Sequence, residues 1–407
     1  MKLRLVVMSL LFLFTGLLIL PVAQAQSNTC PALVNRALAE IGTNCAGLER
    51  NNVCYGYNRV EAAFNDPVSE DYFSKPSDRA GLTTLESLQT APLNEAAGTW
   101  GIATMDVQAN LPGALPGQSV VFILLGAVEI ENAVPEEDAL ILPDEPLEVL
   151  TSHAAALRRS PAGQAQVVGQ VEANTPLLAD GISENGQWLR VFFMADHQAT
   201  AWVRLGDLEA VDSLSTLPVI TPKSRTPMQA FRFQTSIGGV DCEQAPSVLF
   251  IQGPENIEVD INANGADIRI GSSILLRTLP DGSMQIFVLS GGATLNPNGP
   301  NPLFLAPGFT SICPPLGAMN GNCEWSAPRQ ITQAESIELS FIKPLFTNAS
   351  NLLRYTPSVP ELVCASGVGQ VACDLYFENA ALALARASEE CATGGLPASM
   401  CSALFPG

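Results

Sequence analysis

Two histidines are the side chains in this sequence best suited to proton transfer near neutral pH. His153 and His197 are the only histidines in the chain, and imidazole is the usual general base in that pH range. His153 ends an acid-rich stretch, and His197 falls in an expected loop between strands. A cysteine–histidine peptidase would also need a free thiolate beside one of them. Since each cysteine is expected in a disulfide, we interpret both histidines as surface residues.

Carboxylates are numerous enough to build a glycosidase, which needs only two of them. Glu258 and Asp260 alternate with apolar residues along an expected strand, so they share one face, and Asp106 lies in another strand. The same alternation describes a solvent-facing surface, which we favour. The sequence contains no Gly-x-Ser-x-Gly elbow, phosphate-binding glycine loop or His-Glu-x-x-His helix. We therefore predict no catalytic residue, no cofactor and no enzyme, with a carbohydrate-active enzyme as the minor alternative.

The cysteines predict disulfide bonds and no metal site. Their number, ten, is even, and no Cys-x-x-Cys pair of the kind that binds zinc occurs. Full pairing requires at least one bridge from the first group to another, because that group has three members; two free thiols are the alternative. The three groups are Cys30, Cys45 and Cys54; Cys242, Cys313 and Cys323; and Cys364, Cys373, Cys391 and Cys401.

The N-terminal residues predict export. Lys2 and Arg4 precede an apolar stretch over residues 5–20, and Ala23-Gln-Ala25 has the small-x-small pattern of a cleavage site. The stretch is shorter than the roughly 20 residues of a membrane span. Cleavage after residue 25 removes two positive charges and takes the formal net charge from -20 to -22. So acidic a surface disfavours nucleic acid and anionic lipid. We expect a secreted or envelope-associated protein without membrane insertion after cleavage.

Hydrophobic periodicity predicts a mainly β protein with helices near both ends. Residues 28 to about 62 are expected to be helical, with Pro31 in the first turn, and Leu375–Glu390 is a second expected helix. Strands are expected over residues 100–109 and 119–128.

Short strands with regular turn signals between residues 231 and 313 predict a β-sandwich or roll. The alternation of Ile257 to Ile261 predicts one strand and the run from Ala266 to Leu276 another. A hairpin turn at Pro280-Asp-Gly282 leads into a strand over Met284 to Leu289.

Composition shifts divide the chain into seven segments. Acidic residues with prolines mark one linker, and prolines without periodicity mark a second. The expected segments are a signal peptide (1–25), an α+β cysteine-containing domain (26–128), an acidic linker (129–150), a small β unit (151–211), a proline-containing linker (212–227), a β domain (228–350) and a helical cysteine-rich unit (351–407).

The small β unit resembles a bacterial SH3-type domain. The resemblance rests on Leu157-Arg-Arg-Ser-Pro161 as opening strand and turn, Val167–Val171 as second strand, Asn185–Val191 as the Trp-x-x-Val strand, and Ala201-Trp-Val203 with Leu208 as the closing strand and its anchor. Arg158-Arg159 and Ala201 depart from the family's Val-Arg pair and glycine. The resemblance implies a small β-barrel that binds a cell-wall polymer or peptide. Its binding residues would be Trp188, Trp202 and Arg190, through stacking and hydrogen bonds; pure core packing is the alternative for both tryptophans.

The β domain is similar to FecR-type β domains of exported bacterial proteins. The similar stretches are Ala266 to Arg277, Met284 to Leu295 and Leu305 to Gly308. This resemblance implies sensing or assembly. The expected fold is therefore multidomain and mainly β with α+β parts: an SH3-like barrel, a sandwich or roll, and disulfide-bound helical segments at both ends. The expected function is non-catalytic binding of a wall polymer, peptide or extracellular protein. An envelope sensor or assembly scaffold acting through the FecR-like domain is the alternative.

Overall fold

The structure is a computed structural model, and it describes most of the chain between residues 30 and 355. The predicted signal peptide, the helix over Leu375–Glu390, His197 and five of the cysteines lie outside the described residues. Those cysteines are Cys242, Cys364, Cys373, Cys391 and Cys401. The described ranges are 30–109, 119–143, 145–195, 198–211, 213–221, 223–235, 245, 247–254, 257–271, 273–315, 323–355 and 392.

Strands dominate the described residues, as the sequence predicts. The helices are α1 (Cys30–Asn44), α2 (Gln333–Glu338) and α3 (Ile342–Asn348). The strands are β1 (Asn52–Tyr55), β2 (Val60–Phe64), β3 (Arg79–Gly81), β4 (Leu85–Thr90), β5 (Ile102–Val107), β6 (Val120–Leu125), β7 (Val128–Asn132), β8 (Leu147–Leu150), β9 (Ala155–Arg158), β10 (Val167–Val171), β11 (Pro176–Ser183), β12 (Trp188–Ala195), β13 (Gln198–Arg204), β14 (Val219–Ile220), β15 (Ala230–Thr235), β16 (Val248–Gln252), β17 (Val259–Ala263), β18 (Ala266–Ile270), β19 (Ser273–Thr278), β20 (Met284–Ser290), β21 (Ala293–Leu295), β22 (Leu303–Leu305), β23 (Phe309–Cys313) and β24 (Arg329–Gln330).

Three open sheets are built from these strands. The first has nine strands in the order β24-β23-β20-β19-β16-β6-β5-β1-β3, and the second has eight in the order β2-β4-β7-β15-β17-β18-β21-β22. The third has seven strands: β10-β9-β13-β12-β11-β14, with β8 also paired to β11. Among the described residues, no helix combines the length and apolar character needed to cross a membrane.

The nine-stranded sheet lies between the eight-stranded sheet on one face and the helices on the other. We call these two sheets and the helices together the two-sheet body. The central strands β5, β6 and β16 of the nine-stranded sheet are buried at every position, as expected for strands covered on both faces. One face packs on the eight-stranded sheet, where the Phe122 and Phe231 rings lie 5.3 Å apart. The other face packs on the helices, where the Phe250 and Phe346 rings lie 6.0 Å apart. The hydrophobic effect thus acts on both sides of the same strands.

The two-sheet body differs from the predicted division into separate domains. Each of its sheets joins a block of strands from the N-terminal part of the chain to a block from residues 228–350, because β6 pairs with β16 and β7 pairs with β15. The acidic stretch 129–150 is not a continuous linker either. Its first residues belong to β7, where Ile130 is buried and Glu129 and Glu131 face outward. Two of the acidic residues that suggested a linker, Glu129 and Glu131, therefore lie on the solvent side of a strand.

Local strand predictions agree with the structure where glycine does not intervene. β5 and β6 lie inside the predicted stretches, and the Pro280–Gly282 turn joins β19 to β20. The run from Ala266 to Leu276 was expected to be one strand but forms two. The chain leaves β18 in the eight-stranded sheet after Ile270 and enters β19 in the nine-stranded sheet. The helical prediction for residues 28–62 holds only to Asn44, because residues 52–55 and 60–64 are strands.

Two disulfides are present among the described residues. Cys45 pairs with Cys54, tying the end of α1 to β1, and Cys313 pairs with Cys323. Cys30 is also disulfide-bonded. Its partner cannot be in the first cysteine group, because Cys45 and Cys54 bond each other, and this agrees with the predicted bridge out of that group.

A capping box starts α2 and ties it to the nine-stranded sheet. The Thr332 backbone N–H donates to Glu335 Oε2 (2.9 Å), and the Glu335 N–H donates to Thr332 Oγ1 (3.3 Å). Arg329 donates to both oxygens of Glu335, and Gln285 Nε2 donates to Oε1. Burial alone would raise the pKa of Glu335, but these hydrogen bonds outweigh it and lower the pKa from 4.5 to about 2.

Replacing Glu335 should change how stability depends on pH. Because the folded-state pKa is depressed, the stabilisation is present above pH 4.5 and is lost as pH falls toward 2. We expect Glu335→Gln to lower the free energy of unfolding by about 1–2 kcal/mol at pH 7, and the gap from wild type to shrink between pH 5 and 2.5. Urea unfolding across that range measures it. Glu338→Gln, whose carboxylate accepts a hydrogen bond from Arg277, is the control, and a gap independent of pH would contradict the assignment.

Candidate functional site

The seven-stranded sheet has its own hydrophobic core on one face. The residues that fill this core are all aliphatic, and they alternate along β12 and β13 with residues of the opposite face. The buried members are Val149, Ala155, Leu157, Leu177, Ala179, Leu189, Val191, Ala201, Val203, Leu208 and Leu217. Neither Trp188 nor Trp202 belongs to this core. The sheet is open, with β10 and β14 at its edges, where a small barrel was predicted.

The three predicted binding residues converge on the other face of this sheet, here called the outer face. In the β12–β13 register Arg190 lies opposite Trp202, and Trp188 lies opposite Arg204. Trp202 also lies opposite Arg158 of β9. The Arg204 guanidinium carbon is 6.0 Å from the Trp188 ring centroid, at the outer limit of a cation–π contact. Two indole rings and three guanidinium groups therefore share one surface.

Both tryptophans are buried, although they lie outside the core of their own sheet. Trp188 is 5% exposed and Trp202 is 8% exposed. They form a separate cluster with Leu140 and Ile220, against which Leu142 also packs. Leu140 and Leu142 precede the seven-stranded sheet in sequence, and Ile220 lies in β14, its last strand. Neither ring presents a free face for stacking in this arrangement, so the predicted binding role requires the covering segments to move.

Arg190 is held on the outer face by a buried ion pair with Asp180. Nε donates to Oδ1 and Nη2 to Oδ2, both at 2.8 Å, and each side chain is 5% exposed. This is the bidentate geometry in which Arg–carboxylate pairs are strongest. A β-bulge between Ala179 and Gly181 aims Asp180 toward Arg190. The predicted ligand-binding arginine thus has two of its donors committed to a carboxylate of its own sheet.

The first covering segment, residues 139–142, is held by residues outside the seven-stranded sheet. The Leu140 N–H donates to the Arg225 carbonyl (2.8 Å). Gln108, which follows β5, bonds both backbone groups of Leu142: Oε1 accepts from its N–H at 3.3 Å and Nε2 donates to its carbonyl at 3.2 Å. The leucines are therefore positioned by backbone contacts, and their side chains reach the tryptophans.

The second covering segment, residues 218–220, is held by the seven-stranded sheet. β14 pairs in parallel with β11, and the Ile182 N–H donates to the Pro218 carbonyl at 2.9 Å. Ile220 lies so close to Gly181 that a Cβ there would be 2.1 Å from Ile220 Cδ1. The absence of a side chain at Gly181 is what lets Ile220 reach the tryptophan cluster.

A serine–histidine–aspartate contact was missed by the sequence reasoning. Ser152 Oγ lies 2.9 Å from His153 Nδ1, and His153 Nε2 lies 3.1 Å from Asp207 Oδ1. The residue types match a nucleophile–base–acid triad, but the imidazole is 59% exposed, and Ser152 Oγ also donates to the Asp207 carbonyl. The cluster ties the turn after β8 to the turn after β13. We interpret it as a surface contact, as the sequence predicts for His153.

The three carboxylates considered for glycosidase chemistry each lie beside an arginine. Asp260 accepts two hydrogen bonds from Arg269, at 2.6 and 2.9 Å, and Glu258 lies 3.9 Å from the same guanidinium group. Asp106 accepts from Arg354 Nη2. Glu258 and Asp260 thus share one guanidinium group, and Asp106 lies in the other sheet of the two-sheet body. Within the described ranges, no group of three or more His, Cys, Asp or Glu residues is arranged to bind a metal ion.

A row of buried polar residues crosses the helix-facing side of the nine-stranded sheet. Asp106, Gln252, Ser273 and Ser290 lie in one cross-strand row through β5, β16, β19 and β20. Arg354 and Tyr355 close this row. The Arg354 N–H donates to Gln252 Oε1 (2.8 Å), and the Tyr355 hydroxyl lies within 3.2 Å of Ser273 Oγ and Ser290 Oγ. The row anchors the segment after α3 to the sheet, and scattered polar residues in four different strands gave no sequence signal for it.

Breaking the Asp180–Arg190 pair should be much more costly than breaking a half-exposed pair. Asp180→Asn leaves Arg190 charged and buried, so we expect a loss of about 3–5 kcal/mol in the free energy of unfolding. Asp260→Asn, at the partly exposed pair with Arg269, is the matched control and should cost about 1 kcal/mol or less. Urea unfolding followed by circular dichroism compares them. Equal losses would show that the outer face is solvated in the folded protein.

The chain matches no protein-family model and no curated protein. The placement of residues on the outer face of the seven-stranded sheet is therefore the basis for a function.

Proposed function

We propose that this chain is an exported, non-catalytic binding protein whose seven-stranded sheet recognises a cell-wall polymer or peptide through its outer face. The single observation that carries the proposal is the position of Trp188, Arg190 and Trp202. They converge on the face that is not used by the hydrophobic core of their own sheet. The resemblance of residues 151–211 to bacterial SH3-type domains supports the same face and the same class of ligand.

The chemistry of the outer face suits a ligand with both rings and anionic groups. Indole rings provide large, rigid surfaces for stacking at a small entropy cost. Arg158 and Arg204 border the tryptophans and are only partly buried or exposed, in a chain whose formal net charge is -20. These two guanidinium groups beside the indole rings favour carboxylate groups, which arginine binds well. Peptidoglycan offers sugar rings and peptide carboxylates together.

Export is supported by the cysteines and the N-terminal sequence. Both described disulfides close short loops of the two-sheet body, and such bonds persist in oxidising compartments. The signal-like N-terminus of the sequence agrees with this location. Binding without catalysis is supported by the carboxylates, since those considered for acid–base chemistry lie against arginines.

Binding to purified, insoluble peptidoglycan tests this proposal. We expect wild-type protein to co-sediment with it, and Trp202→Leu to reduce the affinity about tenfold, because leucine preserves an apolar contact with Leu140 but removes the stacking surface. Trp325→Leu is the control, since this tryptophan packs against the core of the two-sheet body and should bind as wild type does.

Two results would reject the proposal. One is the absence of wild-type co-sedimentation. The other is equal retention of wild type and Trp202→Leu, with the variant still folded by circular dichroism. Binding to an extracellular protein in the absence of glycan binding would instead favour the sensor or scaffold alternative, acting through residues 228–350.

A further inference from the structure

We propose that the chain regulates its own binding face: residues 139–142 and 218–220 form a removable cover over Trp188 and Trp202. These two segments are named the cover from here on. The inference rests on the proposed function for the ligand, whereas the existence of a cover rests on the structure alone. The conformation described above is the closed state. In the open state the same folded protein exposes the two indole rings.

The cover is only one chain thick. Leu140 and Leu142 pack on the tryptophans, whereas Ile141 between them is 43% exposed. In the second segment Ile220 packs inward and Val219 beside it is 52% exposed. The exposed side chains show that water lies directly beyond the cover. Lifting it would therefore expose the indole rings without disturbing a second layer of protein.

The two halves of the cover are attached to different parts of the molecule. Leu142 is hydrogen-bonded to Gln108 of the two-sheet body, whereas Ile220 belongs to β14 and is bonded to the seven-stranded sheet. A shift of the seven-stranded sheet relative to the two-sheet body would therefore separate Trp188 and Trp202 from Leu140 and Leu142. The aliphatic core of the seven-stranded sheet contains neither Leu140 nor Leu142, so this sheet keeps its core when residues 139–142 move away.

A buried ion pair under the cover favours a face that opens. Asp180 and Arg190 are each only 5% exposed. Removing two charges from water is costly, and apolar residues of similar volume commonly pack as well or better at such positions. On a face that opens, the pair is rehydrated in the open state, and it keeps Arg190 beside Trp202 for a ligand. The pair thus lowers the cost of opening compared with an all-apolar contact.

Residue-specific oxidation of tryptophan measures whether the cover opens. Hydroxyl-radical labelling followed by mass spectrometry reports Trp188 and Trp202 separately, with the fully buried Trp100 as an internal measure of global unfolding. Leu140→Ser removes an apolar contact of the cover. Gly181→Ala places a Cβ 2.1 Å from Ile220 Cδ1 and pushes the isoleucine away without changing polarity.

Matched controls keep the same substitutions away from the tryptophans. Ile141→Ser changes the exposed residue between the two leucines, and Gly163→Ala adds a Cβ with nothing within 4 Å. We expect oxidation of Trp188 and Trp202 to rise at least threefold in Leu140→Ser and Gly181→Ala, and to stay at the wild-type level in both controls, with Trp100 protected throughout.

Two results would overturn the cover. The first is unchanged oxidation of Trp188 and Trp202 in both cover variants. The second is a parallel rise at Trp100 in both, because the two segments would then be a fixed part of the fold. A rise in Gly181→Ala alone, with Trp100 protected, supports the cover even where Leu140→Ser fails to fold.

Co-sedimentation of the same variants with peptidoglycan separates the cover from the proposed function. If closed molecules cannot bind, the apparent affinity is reduced by the open fraction, so variants with raised oxidation should bind several-fold more tightly than wild type. Raised oxidation without any binding would reject the proposed function and keep the cover. Wild-type binding with unchanged oxidation in both cover variants would reject the cover and place the binding surface away from the two indole rings, which the comparison with Trp202→Leu tests separately.

Discussion

The antiparallel register of β12 and β13 is the constraint on which the candidate site depends. Side chains alternate between faces along a strand, so a slip of one residue would exchange the aliphatic core for the tryptophans. With Arg190 opposite Trp202, the residues Leu189 and Val191 enter the core while the two indoles face outward. The bulge at Ala179 to Gly181 then adds Asp180 to the outer face. The two indoles, Arg190 and Arg204 take their positions from this one pairing.

The seven-stranded sheet is inserted into the chain without interrupting the sheets of the two-sheet body. β7 and β15 are hydrogen-bonded neighbours in the eight-stranded sheet, and the chain between them makes the whole excursion. Just beyond these strands the Ala133 N–H donates to the Ala230 carbonyl, and Ala139 bridges Arg225. An insertion whose ends lie side by side leaves the host sheet intact. The outgoing and returning segments therefore emerge together, and both pass over the outer face of the inserted sheet.

Sequence patterns predicted the parts of the fold that depend on local order. The continuous apolar run at β6 and the Pro280–Gly282 hairpin follow from burial on both faces and from turn chemistry. The three residues proposed for binding do share one face. Trp188 and Arg190 are two positions apart on β12, and Arg190 lies opposite Trp202 on β13. The partition into domains could not be predicted, since β6–β16 and β7–β15 pair residues more than 90 positions apart. Gly271, which follows β18, gave no sign that the chain changes sheets there.

The acidic segment before the seven-stranded sheet shows why its role escaped a composition-based prediction. Its glutamates and prolines favour a solvated linker, yet Leu140 and Leu142 have apolar partners that only the folded chain brings near. Covering the outer face gains apolar burial but keeps the Asp180–Arg190 pair away from water. Opening loses the apolar burial but returns the Asp180–Arg190 pair to water. The closed and open states therefore differ less in free energy than they would if the contact were purely apolar. Under that balance, a ligand whose rings replace the two leucines has a smaller free-energy difference to overcome.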